Sequence, residues 1–294
     1  MTRGLARPRA SPRIARRALL VLAPSGCDHA PATLRSSRVV SGMLNLLLRL
    51  SSLRPAVRLE ALWRDQFTEQ SLRELHALAS SLMAEDFEHF RVHAVTNDVV
   101  HVFRRVDTGE IVGFQFWKTA PMSLPRSRAI VGGKLRILPA FRSRGLHLIS
   151  GLAYFAAVKL RDPLTRYYRL SIASVFGFVS ITEALAHYQL LDPRRRDGEE
   201  GAVTAALTAL ARESDFRPDE ETGLIFVDIF MTEETLRRYP PRYFEKPAAR
   251  VYASVNPDFR TNGCYVGFWF RFTSANLRAM TGTILRKLRR PPPV

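Results

Sequence analysis

The stretch from residue 130 to residue 158 constrains the fold more than any other, because a strand there must pass almost directly into a helix. Apolar side chains alternate through residues 130–138 and stop at Pro139, which cannot donate to a sheet ladder. Gly132 and Gly133 inside that strand predict a bulge or a close approach to the backbone. Past the basic turn Phe141-Arg142-Ser143-Arg144-Gly145, residues Leu148, Leu152, Phe155 and Leu160 recur at helical spacing among the small residues Ser150, Gly151, Ala153, Ala156 and Ala157.

A helix that starts this abruptly leaves its first backbone N–H groups without partners and carries the positive end of its dipole, an arrangement suited to an anion such as a pyrophosphate. Gly145 allows close approach of the backbone, and Arg142 and Arg144 add charge. The pattern Arg142-x-x-Gly145 resembles the pyrophosphate-binding loop of the GNAT acyltransferase family, usually written Gln/Arg-x-x-Gly-x-Gly/Ala. His147 stands where the family has its last small residue, where it would either crowd a phosphate or donate a hydrogen bond to it.

Upstream, residues 57–63 read as a strand, and Ser71-x-x-Glu74 reads as a capping box opening a helix that turns Leu72, Leu75, Leu78, Ala79 and Leu82 to the core. A shorter helix is predicted over 86–93. Two strands follow, over 99–105 and 111–119, joined at Asp107-Thr108-Gly109. Downstream, residues 167–174 form a strand in which Arg169 and Ser171 alternate with Leu170 and Ile172, and a helix is predicted over 179–191. Helices over 203–212, 232–238 and 275–289 and strands over 223–230 and 264–272 complete the pattern. The last two strands are candidates for a closing hairpin of the same sheet. The order of elements is similar to that of GNAT domains.

A second partial motif supports the resemblance. The stretch from Ile181 to Leu191 resembles the family segment Asn-x-x-Ala-x-x-x-Tyr-x-x-x-Gly-Phe: Ala184 and Tyr188 keep their spacing, Ile181 replaces the Asn, and the Gly-Phe end is missing. The resemblance implies an α/β (α+β) fold with a mixed, largely antiparallel central sheet flanked by helices. It implies acetyl-CoA or a longer acyl-CoA as co-substrate and an amine-bearing acceptor, with no metal. It also implies a sheet that splays between the strands ending at Leu138 and Ser174 to admit the pantetheine arm. The backbone of Arg142, Ser143, Arg144, Gly145, Leu146 and His147 would hold the pyrophosphate, and Tyr188 would protonate the leaving thiolate, a phenol of pKa about 10 being matched to that task. Glu183, Glu110, His101 and His147 are all candidates for the base, or a water chain serves instead. Phe114, Phe116, Trp117, Phe268, Trp269 and Phe270 line either an acyl tunnel or simply the core.

Charge divides the chain unevenly. Of the net +17, residues 1–58 carry +10, from eleven arginines against the single acid Asp28. Residues 1–42 are rich in Arg, Ser, Pro and Ala and read as a disordered basic arm, a targeting segment, or an overcalled start before Met43. Residues 43–200 read as the GNAT-like core. Residues 201–294 either complete its sheet or form a small substrate-side subdomain. The basic arm keeps a rival function open, that of a GNAT-shaped protein without catalysis that binds nucleic acid or an anionic membrane. Two cysteines, Cys27 and Cys264, make no disulfide framework, so a cytoplasmic setting is the default. No Gly-x-Ser-x-Gly elbow, His-Glu-x-x-His pair or Walker loop is present.

Overall fold

The protein is described here from a computed structural model covering residues 56–82, 86–142, 144–228, 230, 236–237 and 239–289. The arm over 1–42, Cys27, Met43, Ser143 and most of the helix predicted over 232–238 lie outside the described residues.

Nine strands form one sheet among the described residues. They are β1 Val57–Trp63, β2 Val99–Arg105, β3 Ile111–Pro121, β4 Ser127–Ile137, β5 Arg166–Ala173, β6 Gln189–Leu190, β7 Arg217–Pro218, β8 Leu224–Phe226 and β9 Cys264–Arg271. Their order is β1-β2-β3-β4-β5-β9-β8-β7, with β6 pairing β9. Every pairing is antiparallel except β4 with β5. This is the mixed, largely antiparallel sheet that the GNAT resemblance implies. The strands predicted over 223–230 and 264–272 do pair, as β8 and β9, although β8 is only three residues long and helices intervene.

Helices cover both faces. Helices α1 (Glu69–Leu82) and α2 (Phe87–Ala94) bury Leu72, Leu75, Phe90 and Ala94 against Val100, Val102, Phe114 and Phe116. On the same side, α5 (Gly198–Glu213) packs Val203, Leu207 and Leu210 on Tyr168, Leu170, Ile225 and Trp269. The opposite face carries α3 (Leu146–Arg161), α4 (Val175–Thr182), α6 (Pro247–Val255) and α7 (Ser274–Arg289), packed over Phe103, Ile137, Ala173, Val266, Phe268 and Phe270. The aromatic residues named above are therefore divided between the two faces as core, not gathered along one tunnel.

Local chemistry sets several boundaries. The start of α1 is capped by a reciprocal pair, in which Thr68 N–H donates to Ser71 Oγ at 3.0 Å and Ser71 N–H to Thr68 Oγ1 at 3.1 Å. The helix thus begins before the predicted Ser71-Glu74 box, because Thr68 supplies the earlier oxygen. Helix α2 starts where Asp86 Oδ1 accepts from the N–H groups of Glu88 and His89. Helix α4 differs most from expectation, running over Val175–Thr182 instead of 179–191. The chain leaves it early so that Gln189 and Leu190 can join β9, a tertiary pairing that outweighs the helical pattern.

One carboxylate ties three elements together. Asp98 Oδ2 accepts from the Thr119 backbone N–H at 2.8 Å and the Tyr154 hydroxyl at 3.1 Å, while Oδ1 accepts from Arg64 Nη2 at 2.9 Å. Asp98→Ala leaves the buried Tyr154 hydroxyl and a β3 N–H without that acceptor. The expected loss is on the order of 2 kcal/mol, read as a melting temperature several degrees lower.

Candidate functional site

The parallel ladder between β4 and β5 runs from Ser127 opposite Arg166 to Val131 opposite Leu170 and then stops. β4 continues from Gly132 to Ile137 with no strand partner on that edge among the described residues, and β5 turns instead to β9. A bulge contributes to the divergence: the β3/β4 register shifts between Phe114 opposite Arg136 and Phe116 opposite Gly133, and Lys134 there adopts a φ of 41°. An extra residue on one strand increases local twist. The bulge anticipated at the two glycines thus falls immediately after them. Gly132 is also a close-approach position: a Cβ there would lie 2.8 Å from Arg169 Nη2 and 2.9 Å from Trp117 Cζ3.

At the far end of the free edge, the chain passes through a 3-10 turn, Pro139–Phe141, into α3. Gly145 caps the helix at φ 75°, a left-handed conformation that favours glycine, and among the described residues no side chain caps the helix. Arg144 is buried and lies over the Phe141 ring at 4.5 Å, and burial pushes its pKa down. Arg142 is exposed and donates from Nε to the Ile137 carbonyl at 3.1 Å. Leu146 is buried in the core, and Leu138 is half-buried.

His147, in the position expected for a small residue, turns into the protein and meets Ser180 Oγ at 3.0 Å through Nε2. Its pKa is pushed down to about 4, first by burial and then by the charge of Lys287, with a smaller effect of Arg169. Lys287 comes from α7: its Cδ is 3.2 Å from where a Cβ on Gly145 would lie. The carboxyl-terminal helix therefore sets a basic side chain beside the start of α3. Ser174 stands at the N-cap of α4 without capping it.

Tyr188 lies in the loop after α4, just before β6, and not within a helix. Its ring packs edge-on against Phe178 at 5.6 Å and Phe268 at 6.3 Å. Phe268 pairs with Ser171 of β5, which puts the tyrosine on the β5 side of the gap. Burial pushes the Tyr188 phenol up. The loop is held by Asn276, a buried residue that the sequence pattern did not single out. Asn276 Oδ1 accepts from the N–H groups of Ala186 and His187, both at 2.9 Å, and Nδ2 donates to the carbonyls of His187 at 2.9 Å and Arg271 at 2.8 Å.

The structure does not gather the candidate bases around one point. Glu183 is ion-paired to Lys246 Nζ at 2.9 Å, and Glu110 sits beside Arg105 at 3.7 Å near the β2–β3 turn. His101 is buried beneath α3. Trp117 Nε1 donates to Ser150 Oγ at 2.7 Å, and that hydroxyl shares a second hydrogen bond with His101 Nδ1, 2.9 Å away. Burial pushes His101 down to about 4, so it is neutral at pH 7. Among the described residues, no group of three His, Cys, Asp or Glu side chains stands together as a metal site, and no helix is long and apolar enough to cross a membrane.

No family model and no curated protein matches the chain. Solved structures do. An acetyltransferase of Trypanosoma brucei is 18% identical over 38% of this chain and 79% of its own, with a TM-score of 0.28. Arabidopsis thaliana NAA60, in complex with a bisubstrate analogue, is 14% identical over 46% of this chain and 88% of its own, with a TM-score of 0.32. The loading GNATL domain of CurA from Lyngbya majuscula is 14% identical over 73% of this chain and 97% of its own, with a TM-score of 0.30.

Two predictions follow from the buried polar groups. Asn276→Ala removes four hydrogen bonds at once, and urea denaturation is expected to show a loss of roughly 2–4 kcal/mol. Because His101 is neutral when folded and titrates near 6.5 when unfolded, the unfolded state binds the extra proton between these values. Stability is therefore present above pH 6.5 and lost as pH falls from 6.5 toward 4, on the order of 3 kcal/mol for this group. An NMR titration is expected to show His101 no more than about one-tenth protonated between pH 8 and pH 5.

Proposed function

We propose that the protein is an acyl-CoA-dependent N-acyltransferase. The observation that carries the reading is the termination of the β4/β5 ladder at Val131 and Leu170, next to an α3 that starts at Gly145 without a side-chain cap. The free edge from Gly132 to Ile137 spans roughly 17 Å at about 3.3 Å per residue. An extended chain with amides at intervals, as in a pantetheine arm, can pair along such an edge.

The donor set fits the anionic end of the cofactor. The uncapped N–H groups of α3, the positive end of its dipole, Arg142, Arg144 and Lys287 all favour a pyrophosphate. These groups would bind and orient the thioester without taking part in bond making. The partly buried members of the set attract an anion more strongly than they would in water, which offsets the cost of desolvating it.

In the transfer itself, the acceptor nitrogen attacks the thioester carbonyl carbon, the C–N bond forms, and the C–S bond breaks. The Tyr188 hydroxyl would give its proton to the departing thiolate. Burial keeps that phenol protonated at neutral pH, which is the form a donor requires. The amine must lose a proton to a base or to water. None of Glu183, Glu110, His101 and His147 is placed beside Tyr188 in the contacts they make, so a water-mediated path is the simplest reading.

The test is calorimetric titration of the full-length protein with acetyl-CoA, alongside Arg144→Glu and Gly145→Glu. Binding is expected in the wild type and a loss of at least about 100-fold in each variant, since a carboxylate is then set against the phosphates. Tyr188→Phe is expected to bind normally and to turn over at least roughly 100-fold more slowly. A wild type that binds no CoA compound overturns the reading.

A further inference from the structure

The apex of the gap between β4 and β5 holds a lone buried cation. Arg169 is 7% exposed, and its Nη1 donates to the carbonyls of Ile130 at 3.2 Å and Leu170 at 2.5 Å. The guanidinium lies 4.9 Å from the Trp117 ring centre. Its Nη2 stands over Gly132, the first β4 residue beyond the ladder. Among the described residues no carboxylate is paired with it. Burial pushes its pKa down to about 9, which still leaves it charged at neutral pH.

Carbonyl dipoles and an indole face answer part of that charge, but a buried guanidinium ordinarily has an anion beside it. Two neighbouring polar atoms are also unanswered. Ser171, two residues along β5 on the same face, and Gln115 on β3 are both 6% exposed, and neither Ser171 Oγ nor Gln115 Oε1 makes a hydrogen bond. A Cβ on Gly132 would lie 3.0 Å from Gln115 Nε2, so that amide reaches the same point as the guanidinium. Turning the amide over would offer its oxygen to Arg169, yet it would leave the net charge as it is.

A second cation stands at the proposed phosphate end. Lys287 reaches Gly145 at the start of α3, as Arg169 reaches Gly132 at the apex. Both charges act to keep the His147 imidazole neutral. Cations at both ends of the free edge suit a ligand with negative charge at both ends.

Resting on the acyltransferase reading, we propose that the apex receives a substrate carboxylate, which ion-pairs with Arg169 and accepts a hydrogen bond from Ser171. The donor is its most direct source: an acyl group at the inner end of a CoA thioester reaches the apex, so the acyl chain carries a free carboxylate. The alternative source of the same chemistry is the carboxylate of an amino-acid acceptor. A long aliphatic chain has no place beside these polar groups.

The test uses isosteric thioesters with the full-length protein. Succinyl-CoA differs from butyryl-CoA by a carboxylate in place of a methyl group, and malonyl-CoA differs from propionyl-CoA in the same way. Calorimetry is expected to show at least one carboxylate-bearing thioester binding about ten-fold or more tightly than its partner. Arg169→Gln is expected to abolish that preference; Ser171→Ala, which keeps the charge and the fold, is expected to reduce it by several fold. For the acceptor source, the CoA-loaded protein would bind glycine in preference to methylamine. If CoA thioesters bind but neither comparison shows a carboxylate preference, this inference is overturned and the acyltransferase reading stands. If no CoA compound binds, both fall.

Discussion

The separation of β4 from β5 governs the rest of the molecule. These are the only parallel neighbours in the described sheet, so they must be joined by a crossover, and α3 is that crossover. The last rung of their ladder is reinforced by Arg169, whose Nη1 bridges the carbonyls of Ile130 and Leu170 across the two strands. Past that clamp, the bulge at Lys134 turns β4 away while β9 draws β5 in the other direction. The gap, the apex cation and the exposed strand edge are therefore consequences of a single divergence.

Buried polar groups then fix what surrounds the gap. The Trp117 indole, Ser150 hydroxyl and His101 imidazole form one chain under α3, and Trp117 stacks on Tyr154 with ring centres 5.5 Å apart. Asp98 holds the Tyr154 hydroxyl, and Asn276 holds the loop of Tyr188. Each network is costly if broken, because a group left without its partner keeps the full desolvation penalty. They make the positions of α3 and of the Tyr188 loop definite where apolar packing alone would tolerate slippage. Arg169 and Ser171 stand apart from this pattern, as polar groups in the same layer whose hydrogen-bonding capacity is incompletely used.

How much could be read from the chain depended on whether the relevant contacts were local. β1 and β2 fall where alternation put them, and α3 begins at the glycine that ends the basic turn, because strand alternation and helix initiation are written in adjacent residues. The helix expected to carry Tyr188 ends at Thr182, since the following residues are claimed by β9, far along the sequence. Helix α6 was not legible, although Ala249 and Tyr252 are part of the core. In the site, Arg144 and Gly145 were marked by their own motif, and the alternation of Arg169 and Ser171 with Leu170 and Ile172 was visible. That the inward face of β5 is buried, and that no acid among the described residues answers the arginine, depends on packing by α3 and β9.

The sequence by itself determined the period of each main element, the abrupt strand-to-helix passage at residues 138–146, and the concentration of charge in the arm, because these follow from residue type and spacing. Tertiary structure decided which partners meet. It placed Lys287 beside Gly145 from more than a hundred residues away, gave Asn276 to the loop of Tyr188, and left Arg169 in the layer beneath α3. The physical reason is that burial and charge compensation are properties of an assembled environment: a guanidinium is an ordinary surface group or a high-energy buried cation according to what packs around it, and no local pattern records which.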